Sequence, residues 1–395
     1  MSDDELGRLL GRAAIVGLGI TDVGKVYGRS ALDFAADAAR RAVADAGLTM
    51  SDVDGVLMSN GASGGVDLRL QRELGLRDLG LLSIVSSYGA TAIAMVQQAA
   101  IAVATGQATT VVCVHADAPL QPEQRSSAAY DRSATAPAGF ASYFVASGMR
   151  SANAGYALAA RRHMARYGTT SEQLGAVAVA QRAWAAGNPL ARFREPITVA
   201  DHQASRVVMD PLRLLDCCMV SNGGIAVVVT SVDRARDLAQ PPVHLWGAAQ
   251  CHHGQPFSHG NELGLWTGAA IAGPKAMAMA GVRPADIDVR ELYDCYTITC
   301  LVTLEDYGFC AKGDSGPLAE SGALGPGGSM PTNTGGGQLS SFYLWGMTPL
   351  SEAVIQIRGQ GGDRQVPRHD VAIASGNGGL LDYHASLVVG RGPRR

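Results

Sequence analysis

Charge is scarce in this chain. Asp, Glu, Lys and Arg make up only 17% of the 395 residues, while 47% are hydrophobic. So apolar a chain buries a large core, which argues against an extended disordered protein. A basic excess is also missing: the formal net charge is −3, and no run of like charges occurs. A general nucleic-acid binder, which carries a basic stripe, is therefore not expected. No stretch of 18 or more consecutive apolar residues occurs, so no membrane span is predicted. The amino end, MSDDELGRLLGRAAIVGLG, is acidic and lacks the apolar core of a secretory signal. The cytoplasm is the expected location. The seven cysteines, Cys113, Cys217, Cys218, Cys251, Cys295, Cys300 and Cys310, form no CxxC pair. An odd number without a signal points to reduced thiols. Cys251-His252-His253, with His259 nearby, lacks the regular spacing of a zinc site, so no metal is expected.

What is present is length, glycine and alternation. A chain of this size exceeds what one core usually serves, so two domains or one large layered body is implied. The 49 glycines cluster in loops, where they permit positive φ or close backbone approach. AAIVGLG (13–19) reads as a buried strand, and ALDFAADAARRAVADA (31–46) as a helix stopped at Gly47. VDGVLMS is a second strand. SSYGATAIAMVQQAAIAVATG is a small-residue loop opening a nearly apolar, hence buried, helix, and TTVVCVHAD is the strand after it. Such alternation implies a parallel sheet with helices on its faces. PLQPEQRSSAAYDRSATAPAGF reads as a surface excursion, followed by helices near 155–167 and 171–186.

The pattern then repeats. AVADAGLTMSDVDGVLMS (42–59) matches AMAMAGVRPADIDVRELY (276–293): Ala46 with Ala280, Gly47 with Gly281, Asp52 with Asp286, Asp54 with Asp288. Each copy next reaches a small-residue loop before an apolar helix, from Ser86 and from Gly335. Two copies of one topology imply a pseudo-twofold body.

Several short stretches carry possible chemistry. GITDVGKV (19–26) nearly matches a phosphate loop, but Val26 stands where the magnesium-binding hydroxyl belongs, so a tight strand-exit turn is the better reading. VSSYGATA places Ser86, Ser87 and Tyr88 before a helix; a serine there can be a nucleophile, a cap or a pocket wall. Cys217, Cys218, Cys300 and Cys310 read as core. The backbone of ASGNGGLLDYHAS, a strand–turn–strand, could face an anion or a thioester oxygen. Tyr293 falls where a predicted strand ends, the usual site of chemistry in parallel sheets. Tyr343 follows a triple glycine. Taken alone, each tyrosine reads as packing.

Together, DCC...SNGG, ELYDCYT, LEDYGFCAKG, NTGGGQLS and GNGG, set in duplicated halves, resemble the thiolase superfamily, in its sterol-carrier-type and lipid-transfer-protein branch. The resemblance spans nearly the whole chain. It implies an α/β fold of duplicated αβαβα five-layer type, with one half over 1–240, carrying an inserted region at about 120–210, and the other over 241–395. The departures matter more. Aligned on Gly89, the thiolases' nucleophilic cysteine becomes Ser86, and their second cysteine falls at Ala374-Ser375. Where sterol-carrier-type thiolases have His-Asp-Cys-Phe, this chain has Tyr293-Asp294-Cys295-Tyr296. Counting from Asn333, their Gly-His-Pro histidine is Tyr343.

Thiolase chemistry needs a thiolate and a base, and both are missing at the required positions. The chain is similar to thiolase-like steroid side-chain aldolases, which cleave a 3-hydroxyacyl-CoA to a ketone and a short acyl-CoA without an acyl-enzyme. The resemblance implies Tyr293 and Tyr343 as acid and base, in either order. Ser86, Tyr88, Asp294, Asn333, Ser375, Gly376, Asn377 and Gly378 would line the thioester pocket. Coenzyme A would be only the carrier, with no redox cofactor or metal. A homodimer would work with a small OB-fold and zinc-ribbon acyl-CoA-associated partner as a heterotetramer, any zinc lying in the partner. A Claisen-type acyltransferase using Ser86 or Cys295, and a non-catalytic acyl-CoA-binding scaffold, are the rival expectations.

Overall fold

The structure is a computed structural model describing residues 2–126, 129, 139, 141–149, 151–253 and 263–394. His259 and most of the tip of the predicted surface excursion, residues 127, 128, 130–138 and 140, lie outside the described residues. Among the described residues nine strands join in one sheet: β1 (Ala13–Ile20), β2 (Gly55–Asn60), β3 (Leu81–Ile84), β4 (Thr110–Asp117), β5 (Gly223–Ser231), β6 (Val243–His252), β7 (Val289–Glu291), β8 (Val371–Gly378) and β9 (Tyr383–Gly390). The helices that place the site are α1 (Ala31–Asp45), α2 (Thr91–Thr105), α3 (Ala152–Tyr167), α4 (Ser171–Ala186), α5 (Ala269–Ala280), α6 (Thr297–Asp306) and α7 (Met347–Ile357).

The spatial order, β3-β2-β4-β5-β1-β6-β9-β8-β7, is a palindrome. The first strand of each half, β1 and β6, meet at the middle through only two register pairs, Ala14 with His244 and Ile15 with Val243. The last two strands of each half come next, and β2 and β7 lie beyond them. The counterpart of β3 is reduced to one parallel bridge, Arg290 with Thr332. The repeat seen in the sequence has a physical basis. Gly47 and Gly281 end their helices at φ 73° and 70°, a conformation that glycine adopts without strain. Asp54 accepts the N–H groups of Thr109 and Thr110 at the head of β4, and Asp288 accepts those of Asp370 and Val371 at the head of β8.

Period-two alternation sorts each strand between layers. Val111 and Cys113 of β4 and Ile225, Val227 and Val229 of β5 face a central core, while Val112, Val114, Ala226 and Val228 face an outer core with α1. In the other half, Ala372, Ala374, Ala385 and Leu387 face the same central core, and Ile373 and Val388 face an outer core with α5 and α6. The centre holds α2 and α7, so the layers run α, β, α, β, α, as expected. Sheet on both sides explains the composition of α2. The stretch Tyr88–Thr105 is long and apolar enough to cross a membrane, yet 72% of it is buried inside the fold. Its Gln97 is bonded to Ala248 and Gln250 of β6. The inserted region contributes α3 and α4, which pack on the second half.

GITDVGKV is a strand exit. Gly24, at φ 104°, pairs with Asn222, and the next helix begins only at Ala31. The loop does not run directly into a helix amino end, as a phosphate loop does. Cys300 is buried, and Cys217, Cys218 and Cys310 are partly buried and pack against the same core.

Candidate active site

Two irregular segments after β7 and before α7 build the site. Beyond β7 the chain leaves the sheet, and the Tyr293 N–H donates to Ser375 Oγ of β8 at 2.8 Å. Its ring lies against Gly89, where a Cβ would fall 2.5 Å from the ring carbon Cζ. The other segment departs from the expectation of a loop running straight into a helix from Gly335. Residues Gly337–Ser341 form a wide π-type turn, residues 342–346 are irregular, and α7 starts only at Met347. Asp294 holds that turn: its carboxylate accepts the N–H of Gln338 at 2.9 and 3.0 Å and of Leu339 at 3.3 Å. The Tyr343 N–H donates to Ser221 Oγ at 3.0 Å. Held this way, the two phenols meet, with Tyr293 Oη and Tyr343 Oη 3.0 Å apart and rings inclined at 70°.

Burial sets the protonation of the site. It pushes the Tyr293 phenol well above its ordinary range, and the neighbouring Tyr343 adds to the effect. It also pushes the Cys295 thiol up to about 12 and the Cys218 thiol well above its usual value. The nucleophilic form of cysteine is the thiolate, so neither cysteine is poised to attack. Burial raises Asp294 to about 7, against the lowering effect of the Gln338 and Leu339 N–H groups.

The remaining predicted residues surround this pair in two ways. Ser86 and Tyr88 are exposed. Tyr88, at φ 51°, rests on Trp345 and Tyr383, with ring centroids 6.1 and 5.9 Å away. Ser375, Asn377 and Asn333 are buried. Asn333 Oδ1 accepts the Leu292 N–H at 2.6 Å, and its Nδ2 has no partner among the described residues. Gly376 and Gly378, together with Gly346, press on the backbone of residues 87–90; a Cβ at Gly378 would lie 2.5 Å from the Ser87 carbonyl oxygen. Their lack of side chains lets three segments converge beneath Tyr293.

Sequence reasoning missed Tyr156 of α3, whose phenol lies in this cluster, and Ser221, which fixes Tyr343. Nothing in a helix of alanines and arginines marks Tyr156; Ser221 sits inside SNGG but carries no motif of its own. Among the described residues no group of three or more His, Cys, Asp or Glu is arranged to hold a metal. Cys251 Sγ lies 3.7 Å from His253 Nε2.

The chain matches the thiolase N-terminal domain family over residues 13–233 and the family described as thiolase C-terminal domain-like over 249–391. It therefore belongs to the thiolase family. Within that family it is 41% identical over 382 residues to the steroid side-chain-cleaving aldolase of Thermomonospora curvata, covering 94% of this chain and 96% of the relative. It is 40% identical, over 94% of this chain and 97% of the relative, to the 17-hydroxy-3-oxo-4-pregnene-20-carboxyl-CoA lyase of Mycobacterium tuberculosis. Among solved structures it superposes on the Ltp2-ChsH2(DUF35) aldolase with TM-score 0.86 and 39% identity, covering 96% of this chain and 98% of that one.

Proposed function

We propose that this chain is a retro-aldolase acting on a 3-hydroxyacyl-CoA whose hydroxyl carbon is tertiary. The substrate class is a steroid side-chain 17-hydroxy-20-carboxyl-CoA, and the products are a ketone and propionyl-CoA. The observation that carries the reading is the 3.0 Å contact between the Tyr293 and Tyr343 hydroxyls. These tyrosines replace two histidines of the sterol-carrier-type pattern, in a site whose thiols are held protonated.

Tyr293 is assigned as base and Tyr343 as acid. A phenol kept neutral by burial is a poor base if it must end as an anion. The contact removes that requirement. Tyr293 accepts the substrate hydroxyl proton as it passes its own proton to Tyr343, and Tyr343 delivers its proton to the enolate carbon. The Cα–Cβ bond electrons become the enolate, and the hydroxyl carbon becomes the ketone. One proton moves from oxygen to carbon, and neither tyrosine stays ionised. Electrons balance without an external oxidant, so the reaction needs no redox cofactor, and coenzyme A serves as carrier. Hydrogen-bond donors near the developing alkoxide and enolate supply the main stabilisation in such a step.

The Claisen alternative is disfavoured because Cys295 is buried with a raised thiol pKa and Ser86 is exposed. We further propose a homodimer in the cytoplasm, working with a small partner of the ChsH2(DUF35) kind. The test is to incubate the co-expressed complex with the thioester and to follow products and intact-protein mass together. Ketosteroid and propionyl-CoA with no mass adduct are expected. An acyl adduct that disappears in Ser86→Ala or Cys295→Ser would overturn the reading.

A further inference from the structure

A third tyrosine lies in the same cluster, and its bonds show what it does. Tyr156 projects from α3, is 3% exposed, and has its phenol fully engaged. The hydroxyl donates to the Gly379 carbonyl at 3.0 Å and accepts from Asn377 Nδ2 at 3.0 Å. Its ring stacks on Tyr296, with centroids 4.4 Å apart and planes inclined at 25°. Tyr296 in turn donates to Asn153 Oδ1, one turn earlier on α3. The adjoining Gly155 lets α3 sit directly on the β8–β9 turn; a Cβ there would lie 2.5 Å from Leu380 Cδ1. Two hydrogen bonds thus tie α3 to the end of β8 and the turn after it, while the ring stack ties α3 to the segment before α6.

That turn supports the reacting pair. A Cβ on Gly89 would overlap both the Asn377 carbonyl oxygen and the Tyr293 ring, so these three groups occupy one packed spot. Asn377 is buried and its Oδ1 has no partner among the described residues, so the bond from Nδ2 to Tyr156 fixes its amide. Buried amides left unpaired are costly, and without the phenol this amide would turn to find a partner.

We propose that Tyr156 is a positioning residue: acting through Asn377 and the β8–β9 turn, it sets where the Tyr293 ring sits relative to Tyr343. It is assigned as positioning rather than catalytic because its hydroxyl donates to the Gly379 carbonyl and accepts from Asn377, with the Cys295 thiol also beside it. The kinetic arm of the test rests on the aldolase reading.

The experiment compares wild type, Tyr156→Phe, Asn377→Ala and the double variant as co-expressed complexes with the steroid thioester. Tyr156→Phe keeps the stacked ring and removes only the hydroxyl. Misplacement by about 1 Å costs on the order of 100-fold in a positioned reaction. The expected result is a kcat lowered roughly 10- to 100-fold in each single variant, with KM within about two-fold of wild type and the double variant no worse than either single one. Hydrogen–deuterium exchange gives a readout independent of turnover. In Tyr156→Phe, peptides covering 376–382 should exchange faster, while those covering β4 should be unchanged. Unaltered kcat, an effect confined to KM, losses that multiply in the double variant, or unchanged exchange at 376–382 would overturn the proposal. A wild-type complex without turnover counts against the aldolase reading, and the exchange arm then decides the role of Tyr156.

Discussion

Gly89→Ala offers a sharp test of how the site is packed. The backbone at Gly89 is in a conformation open to any residue, so a methyl group costs nothing in φ and ψ. Its cost is spatial. The new Cβ would lie 2.5 Å from Tyr293 Cζ, whereas carbon atoms pack best at about 3.5–4.0 Å. The same Cβ would overlap the Asn377 carbonyl oxygen, so the ring and the end of β8 must both give way by roughly 1 Å, which disturbs the Tyr293–Tyr343 contact. Overpacking of this kind destabilises by about 1–3 kcal/mol, which a chain of this size survives. A misplacement of about 1 Å is worth on the order of 100-fold in rate. Gly17→Ala is the control: Gly17 lies in β1 against the Ala42 carbonyl of α1, in the outer layer of the first half, where a Cβ is also too close. Both variants should lose a similar few degrees of Tm, read by thermal unfolding. Only Gly89→Ala should lose kcat, read by release of propionyl-CoA. A folded Gly89→Ala complex with wild-type kcat would refute the packing argument, as would equal kcat losses in the two variants.

Other consequences follow from the buried charges. Asp294 has a folded pKa raised to about 7 by burial, so the folded state holds a proton that the unfolded chain releases near the ordinary 3.8. Its contribution to stability is full below that unfolded value and is lost as pH rises through about 7; Asp294→Asn should flatten Tm against pH between these limits, and an unchanged slope would contradict the assignment. Burial and the adjacent Glu352 raise Glu291 well above its usual value, which favours its neutral form. Glu291→Gln should shift stability by less than about 1 kcal/mol. Glu352→Gln should cost roughly 3–5 kcal/mol, because Arg364 Nε and Nη2 bond that carboxylate at 2.9 and 3.1 Å in a buried setting; equal Tm values for the two variants would contradict this. Ser86→Ala should leave kcat within about three-fold of wild type, since an exposed serine makes no acyl-enzyme in this scheme; abolished turnover would restore the nucleophile reading.

Much of the architecture was legible because it is written locally. Apolar runs closed by Gly47 and Gly281, and the twin aspartates Asp54 and Asp288, mark the repeat, and the strand heads they cap carry it into three dimensions. The apolar α2 announced burial on all sides. The identities of Tyr293 and Tyr343 were readable from the resemblance, but their 3.0 Å contact was not. That contact depends on a wide turn held by Asp294 across 44 positions of sequence, and no propensity describes such a turn. Gly376 and Gly378 looked like donors to a thioester, and the structure shows in addition that they are spacers against residues 87–90. Tyr156 was invisible because its partners, Asn377 and Gly379, lie more than 200 positions away.

The central claim is that the two hydroxyls move one proton together. Single-turnover cleavage of the steroid thioester by the complex, with Tyr293→Phe and Tyr343→Phe beside wild type, tests it most directly. Phenylalanine keeps each ring and deletes only the proton-carrying oxygen. Loss of general acid–base catalysis costs about 10²–10⁴-fold. Each variant should fall within that range, and the double variant should be no worse than either single one, because a relay broken once is broken. Cleavage within a few-fold of wild type in either variant, or losses that multiply in the double variant, would contradict the account.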